Sequence, residues 1–316
     1  MKKTVRALSL FIALLMLLTF VSCKTAVTEV VPPDRPAMWE ATDSKTNHKI
    51  YLFGSIHVAE EALYPLDDAI MDAFSSSEYL AVEVDLLAFA EDTAQQVEYS
   101  QALIYTDGRV VTDEIDEDVI HAAATAISEA DLQTGIPEEY LKMMKPYAWQ
   151  SLLSEVVIKE SGLAADQGLD MHFLTLAREQ DKEVLEVESM ESQMSLLNGF
   201  SPEIQTILIE QGTDIETGVE SMKKLYSIWK SGDMDALLEY ARSEEEAYDY
   251  SEEEIKLMEN YNDQLITQRN NLMADTAEEY IQDGKTVFYV VGALHMVGKD
   301  GIVEQLMARG YTLKRV

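Results

Sequence analysis

The sequence predicts an α/β fold, with a parallel or mixed central sheet built from βαβ units at the two ends of the chain and a large helical insertion between them. Three observations carry this. "KIYLFG" (49–54) and "EYLAVEVD" (78–85) read as buried strands, and between them Leu66, Ala69, Ile70, Ala73 and Phe74 recur at helical spacing. The C-terminus repeats the grammar with a strand "KTVFYVVG" (285–292), a short helix "DGIVEQLMARG" (300–310) closed by Gly310, and a last strand "YTLKRV" (311–316). The middle of the chain, residues 90–280, is mostly helical and acidic.

Before the fold come two segments of other character. "MKKTVRALSLFIALLMLLTFVSC" has a basic start, an apolar stretch (8–21) too short for a comfortable membrane span, and small residues before a cysteine. It reads as a signal peptide over residues 1–22. Cys23, the only cysteine of the chain, stands where bacterial lipoprotein signals place the lipidated residue, so a membrane-anchored extracytoplasmic lipoprotein is expected, with plain secretion as the alternative. Residues 23–38, rich in proline and without periodicity, read as the lipid-anchored tether, and 39–316 as one folded domain. No disulfide is available to that domain, which must be held by packing.

Within the insertion, "KEVLEVES" (182–189) reads as a further strand following a helix whose start is marked by Asp170. A long amphipathic helix is expected over 243–284, with Met258, Tyr261, Leu265, Leu272 and Tyr280 on its apolar stripe. The formal net charge of −34 becomes more negative when Lys2, Lys3 and Arg6 leave with the signal. Such a surface repels nucleic acid and concentrates cations, although solubility alone accounts for most of its carboxylates.

The chemistry is foreshadowed by a repeated phrase. "GSIH" (54–57) and "GALH" (292–295) each place a histidine three residues after a glycine at the end of a strand, in a chain with five histidines. In an open α/β sheet ligands bind beyond the carboxyl ends of the strands. If the two strands are neighbours, His57 and His295 face each other there. Two imidazoles make an incomplete metal site, since a catalytic ion normally takes three protein ligands. Glu83 and Asp85, or Glu186 and Glu188, could supply the carboxylate, each pair spaced to share a face; Glu83 is the first choice and Glu186 an alternative base. His48, His121 and His172 read as surface or packing residues. Arg269 falls on the helix's apolar stripe and needs an anion, either a strand-end carboxylate or a substrate oxyanion, and Asn270 beside it offers both donor and acceptor.

With these residues the chain resembles the TraB/PrgY/GumN family, related to the Tiki metalloproteases. The resemblance rests on "GSIH", the "EVD" of the second strand, "KPYAW" (145–149), "GLDMHFLTLA" with "KEVLEVES" and Gln193, "WKSGD" (229–233), "RN" (269–270) and "GALHMVGKDGIVEQL". It implies an extracytoplasmic or membrane-associated protein and, for the Tiki branch, a divalent-metal peptidase needing both Gly-x-x-His motifs and a glutamate. Carried onto this chain, these are His57, His295 and Glu83, with Arg269 and Asn270 in support. A manganese, cobalt or zinc ion would activate water, Glu83 or Glu186 would take its proton, and Arg269 would stabilise the oxyanion of a peptide or protein substrate. Rival readings keep the histidines but not the chemistry, as a haem-, metal- or peptide-binding lipoprotein, or drop the metal for an esterase-like site, which the lack of a G-x-S-x-G elbow weakens.

Overall fold

The computed structural model describes residues 35–130, 136–246 and 250–316; the expected signal peptide, Cys23 and most of the expected tether lie outside them. Strand β1 (Met38–Thr42) is followed by β2 (Lys49–Ser55), β3 (Tyr79–Val82), β4 (Glu183–Glu186), β5 (Val287–Gly292) and β6 (Thr312–Arg315), in the sheet order β4-β3-β5-β2-β1-β6. The two most apolar runs, β2 and β5, lie side by side in parallel at the middle, with Gly54 opposite Val291 and Ser55 opposite Gly292. Strands covered on both faces favour such uninterrupted apolar sequence. β3 is parallel to β5 and β4 to β3, whereas β1 is antiparallel to both β2 and β6, so the sheet is mixed.

Both terminal units are present, but neither joins adjacent strands. β2, the helix Asp68–Ser76 and β3 straddle β5, while β5, the helix Ile302–Ala308 and β6 straddle β2 and β1. This interleaving of the chain's two ends makes β2 and β5 neighbours. Sequence reading overlooked β1, because "MWEAT" carries no apolar run; Met38, assigned to the tether, opens the strand and is fully buried.

One face of the sheet packs Phe53, Phe74, Phe173 and Phe288 with ring centroids between 4.7 and 5.7 Å apart. Each buried ring contributes about 1.5–3 kcal/mol of transfer free energy. The other face is covered by Met273, Ala277 and Ile281 of the helix Gln268–Gln282 and by Ile302 and Leu306. Trp149 of "KPYAW" is an anchor of the separate helical core, buried in the helix Pro146–Ser161 that Pro146 opens.

The long acidic helix departs from the expected one. It starts at Glu252, capped by Ser251, and runs through a π-helical turn (Asp263–Thr267) before continuing as Gln268–Gln282. A π turn shifts the downstream face, so the stripe of Tyr261 and Leu265 is continued by Met273, Ala277 and Tyr280, and Leu272 is 62% exposed. Among the described residues no helix is long and apolar enough to cross a membrane.

Candidate functional site

The two Gly-x-x-His turns meet at the carboxyl ends of β2 and β5. A Cβ on Gly54 would stand 3.0 Å from the Ala293 Cα, so the first motif's glycine is what lets the second motif's turn approach. The Gly54 carbonyl accepts the indole N–H of Trp229 at 2.8 Å, which fixes the helix Ile215–Ser231 over this edge. Gly168 provides a second close approach, since a Cβ there would fall 2.2 Å from the His57 carbonyl oxygen.

That contact brings the helix Leu169–Glu179 under the first motif, and with it Asp170. Asp170 does not cap the helix; Gly168 is the N-cap, and the Asp170 carboxylate turns inward to accept from Ser55 Oγ at 3.1 Å and His57 Nδ1 at 2.8 Å. The carboxylate pushes the His57 imidazole up to about 9. The side chain of His57 remains 54% exposed, at the mouth of the site.

His295 is buried and its Nδ1 lies 2.6 Å from Asn270 Oδ1, while Asn270 Nδ2 donates to the Asp300 carbonyl at 2.9 Å. The amide's donor end is thus committed, so its oxygen must accept, and His295 carries its proton on Nδ1. Burial and then Arg269 lower His295 to about 3, so the ring is neutral at physiological pH. Asn270 is fully buried and holds the histidine rather than awaiting a substrate.

Glu83 stands just past the end of β3. Its Oε1 accepts the Gly292 N–H at 2.8 Å, and its Oε2 accepts from Arg269 Nη2 at 2.7 Å and Gln193 Nε2 at 3.1 Å. Burial raises the carboxyl, but Arg269, His295, His57 and the Gly292 N–H together outweigh it and hold Glu83 down at about 2. Arg269 also forks onto Glu188, Nε to Oε1 at 2.8 Å and Nη2 to Oε2 at 2.7 Å, and donates to the Leu265 carbonyl across the π turn at 3.2 Å. Glu83 and Glu188 are therefore the anions that pair with Arg269 in this structure. Gln193 donates to both carboxylates, reaching Glu188 Oε2 at 2.8 Å.

Glu186 lies elsewhere. Its Oε1 accepts the Asp85 N–H at 2.8 Å, and the side chain lines a separate cleft with Tyr99, Lys145 and Met194. β3 ends at Val82 and β4 at Glu186, so the two-residue alternation that grouped Glu83 with Asp85 and Glu186 with Glu188 does not extend across those pairs. Asp85 instead caps the helix Leu86–Glu91 and pairs with Arg178 at 3.2 Å. His172 stacks on Tyr64 at 4.1 Å, and His48 meets the Ile281 carbonyl at 3.1 Å, both packing residues.

His57, His295, Glu83 and Arg269 line one cavity of about 210 Å³, completed by Ser55, Gly292 and an apolar wall. For a divalent cation the donor chemistry fits: two imidazoles, each with Nδ1 engaged by a fixed partner so that Nε2 is the nitrogen left over, and an ionised carboxylate. Among the described residues, however, no three His, Cys, Asp or Glu side chains stand close enough to hold an ion as they lie. Glu83 is the one turned elsewhere, onto Arg269, Gln193 and Gly292.

The role of Asp170 as a partner of His57 is not legible in the sequence, where Asp170 reads as the mark of a helix start; its one signal is its place inside the motif "GLDMHFLTLA". Glu188 enters the sequence analysis as a candidate carboxylate and Gln193 as part of the family resemblance, and the structure brings both to Glu83 and Arg269.

The chain is 22% identical over 275 residues to the uncharacterized protein YbaP of Escherichia coli (strain K12), covering 85% of this chain and 92% of that one, and equally to its counterpart in Shigella flexneri. No solved structure matches. The profile of the TraB/PrgY/gumN family matches residues 37–315, from the start of β1 to the end of β6 and so including every residue of the site, and the chain belongs to that family.

Proposed function

We propose that the cavity is the centre of a metal-dependent hydrolase acting on a peptide or protein, carried outside the cytoplasm as a lipoprotein anchored through Cys23. The observation behind this is the pair of imidazoles from opposite ends of the chain, each oriented by its own buried partner, at one cavity with a carboxylate held ionised. His57 and His295 would hold the ion, with Glu83 as the third ligand once it turns from Arg269. A divalent cation bound there would acidify a water and polarise a carbonyl oxygen.

The chain's own residues do the rest. Asp170 and Asn270 fix ring orientation and leave Nε2 of each ring available. Arg269 and Gln193, backed by Glu188, keep Glu83 charged, and Glu83 would leave them to reach the ion. A carboxyl held at about 2 is far too weak a base to match neutral pH, but a ligand must be deprotonated, so ligation suits Glu83 better than general-base work. The test is hydrolysis of a mixed peptide library by the purified protein with manganese, cobalt or zinc and with chelator. Cleavage that needs the cation and is lost in His57→Ala and His295→Ala supports the reading; cleavage indifferent to chelator overturns it.

The engagement of both Glu83 oxygens favours a second reading, a lipoprotein that binds a peptide or metal without chemistry. Haem is the poorest occupant for it, because a cavity of about 210 Å³ falls below the size of ordinary small-molecule sites, roughly 300–1,000 Å³. Saturable peptide binding without turnover under every cation would favour this alternative.

A further inference from the structure

The cavity has two unlike sides. The sheet edge presents His57, His295 and Glu83, with Arg269 of the helix Gln268–Gln282 paired to Glu83, whereas Leu225 and Trp229 of the helix Ile215–Ser231, Leu237 of the helix Met234–Glu246, Leu265 of the π turn, and Ile56 and Leu294 of the two motif turns are apolar. Among the described residues lining the helical side, Arg269 is the one charged side chain, and its guanidinium is engaged by Glu83 and Glu188. Leu225, Trp229, Leu237 and Leu265 are at most 8% exposed, and Trp229 is fixed by its bond to the Gly54 carbonyl, so this wall is part of the core and not a loose flap. His57, with its side chain 54% exposed, marks the open end. At about 210 Å³ the space suits one leucine- to phenylalanine-sized side chain with a few atoms of backbone, and not a folded segment.

We propose that this apolar wall is a selectivity pocket which takes a single uncharged, apolar side chain, presented by a chain end or a flexible segment, directly beside the bond that meets the two imidazoles. It rests on the hydrolytic reading for the words "beside the bond" alone; the side-chain preference is a binding property of the wall. Moving one such side chain from water into the wall favours it over a charged one of similar size by about ten- to a hundred-fold.

The full-length protein is titrated with the N-acetyl amides of leucine, phenylalanine, aspartate and lysine, following the His57 and His295 ring resonances, and is separately incubated with a mixed peptide library and divalent cation. Binding of the leucine and phenylalanine compounds at least tenfold tighter than the charged pair supports the pocket, whether or not any peptide is cut; in the latter case the hydrolytic reading falls and the pocket stands. Leu237→Phe, which fills the space without placing a charge in the core, should weaken phenylalanine binding more than leucine binding, and Leu237→Met, which conserves volume, should leave both within about threefold. Equal binding of all four compounds, or library cleavage with no apolar preference at either residue flanking the cut, overturns the pocket while leaving hydrolysis intact.

Discussion

Replacing Arg269 with methionine tests the electrostatic frame of the site. The substitution removes the fork onto Glu188 and the bond to Glu83, whose side chains are only 11% and 9% exposed, and leaves two carboxylates facing each other without a counter-charge. Breaking a buried ion pair from one side costs about 3–5 kcal/mol. The whole environment of Glu83, in which Arg269 acts with His295, His57 and the Gly292 N–H against burial, holds its carboxyl at about 2 instead of 4.5, which corresponds to about 3 kcal/mol of stability at neutral pH and sets the same order of magnitude. The sign follows from the depressed value. This contribution is present above the unfolded pKa and is lost as pH falls through the folded one, so the penalty of Arg269→Met should be full at pH 7 and shrink between about pH 4.5 and pH 2. Urea denaturation of the metal-free protein, with a slope at or above roughly 3 kcal/mol/M for a chain of this size, should show the midpoint falling by about 1–2 M at pH 7. Arg269→Lys should recover little, because one ammonium cannot reproduce the fork. A midpoint within about 0.2 M of wild type, against the loss worked above, or a deficit that does not change with pH, would refute the reasoning.

Other outcomes follow from the same contacts. In the metal-free protein the His57 ring should titrate near 9, and Asp170→Asn should return it toward the ordinary histidine range in NMR titration; because the value is raised, the pair's contribution to stability is complete below about 6.5 and disappears as pH rises through 9. His295 should show a neutral ring protonated on Nδ1 throughout pH 5–8 in long-range 15N–1H spectra, and Asn270→Leu should abolish that single tautomer. Gly168→Ala should lower the melting temperature by several degrees and weaken cation binding, since at its φ of −62° the backbone tolerates alanine but the Cβ would sit 2.2 Å from the His57 carbonyl oxygen.

Much of the architecture was legible because it rests on long apolar runs: β2, β3 and β5 and the helix Asp68–Ser76 fall where hydrophobic spacing puts them. β1 was not, since five residues with a glutamate and a threonine carry no periodic signal and gain their place only by pairing with β2 and β6. The two histidines and Glu83 were readable from their positions at strand ends. The partner of His57 was not, because the pairing of Asp170 with His57 depends on the approach of Gly168 to a backbone far away in sequence, which no local pattern encodes. The π turn misled the helical projection in a similar way: one extra residue per turn moved Leu272 into solvent while Arg269 stayed within reach of Glu83.

The convergence of the two Gly-x-x-His turns on one cation is tested most directly by binding stoichiometry. Calorimetric titration of the metal-free protein with manganese or zinc should give one ion per chain for the wild type and no binding at that site for His57→Ala, for His295→Ala, or for the double variant, all three still folded by circular dichroism. Undiminished affinity in either single variant would contradict a shared ion, and retention of the full stoichiometry in the double variant would place the cation elsewhere in the molecule.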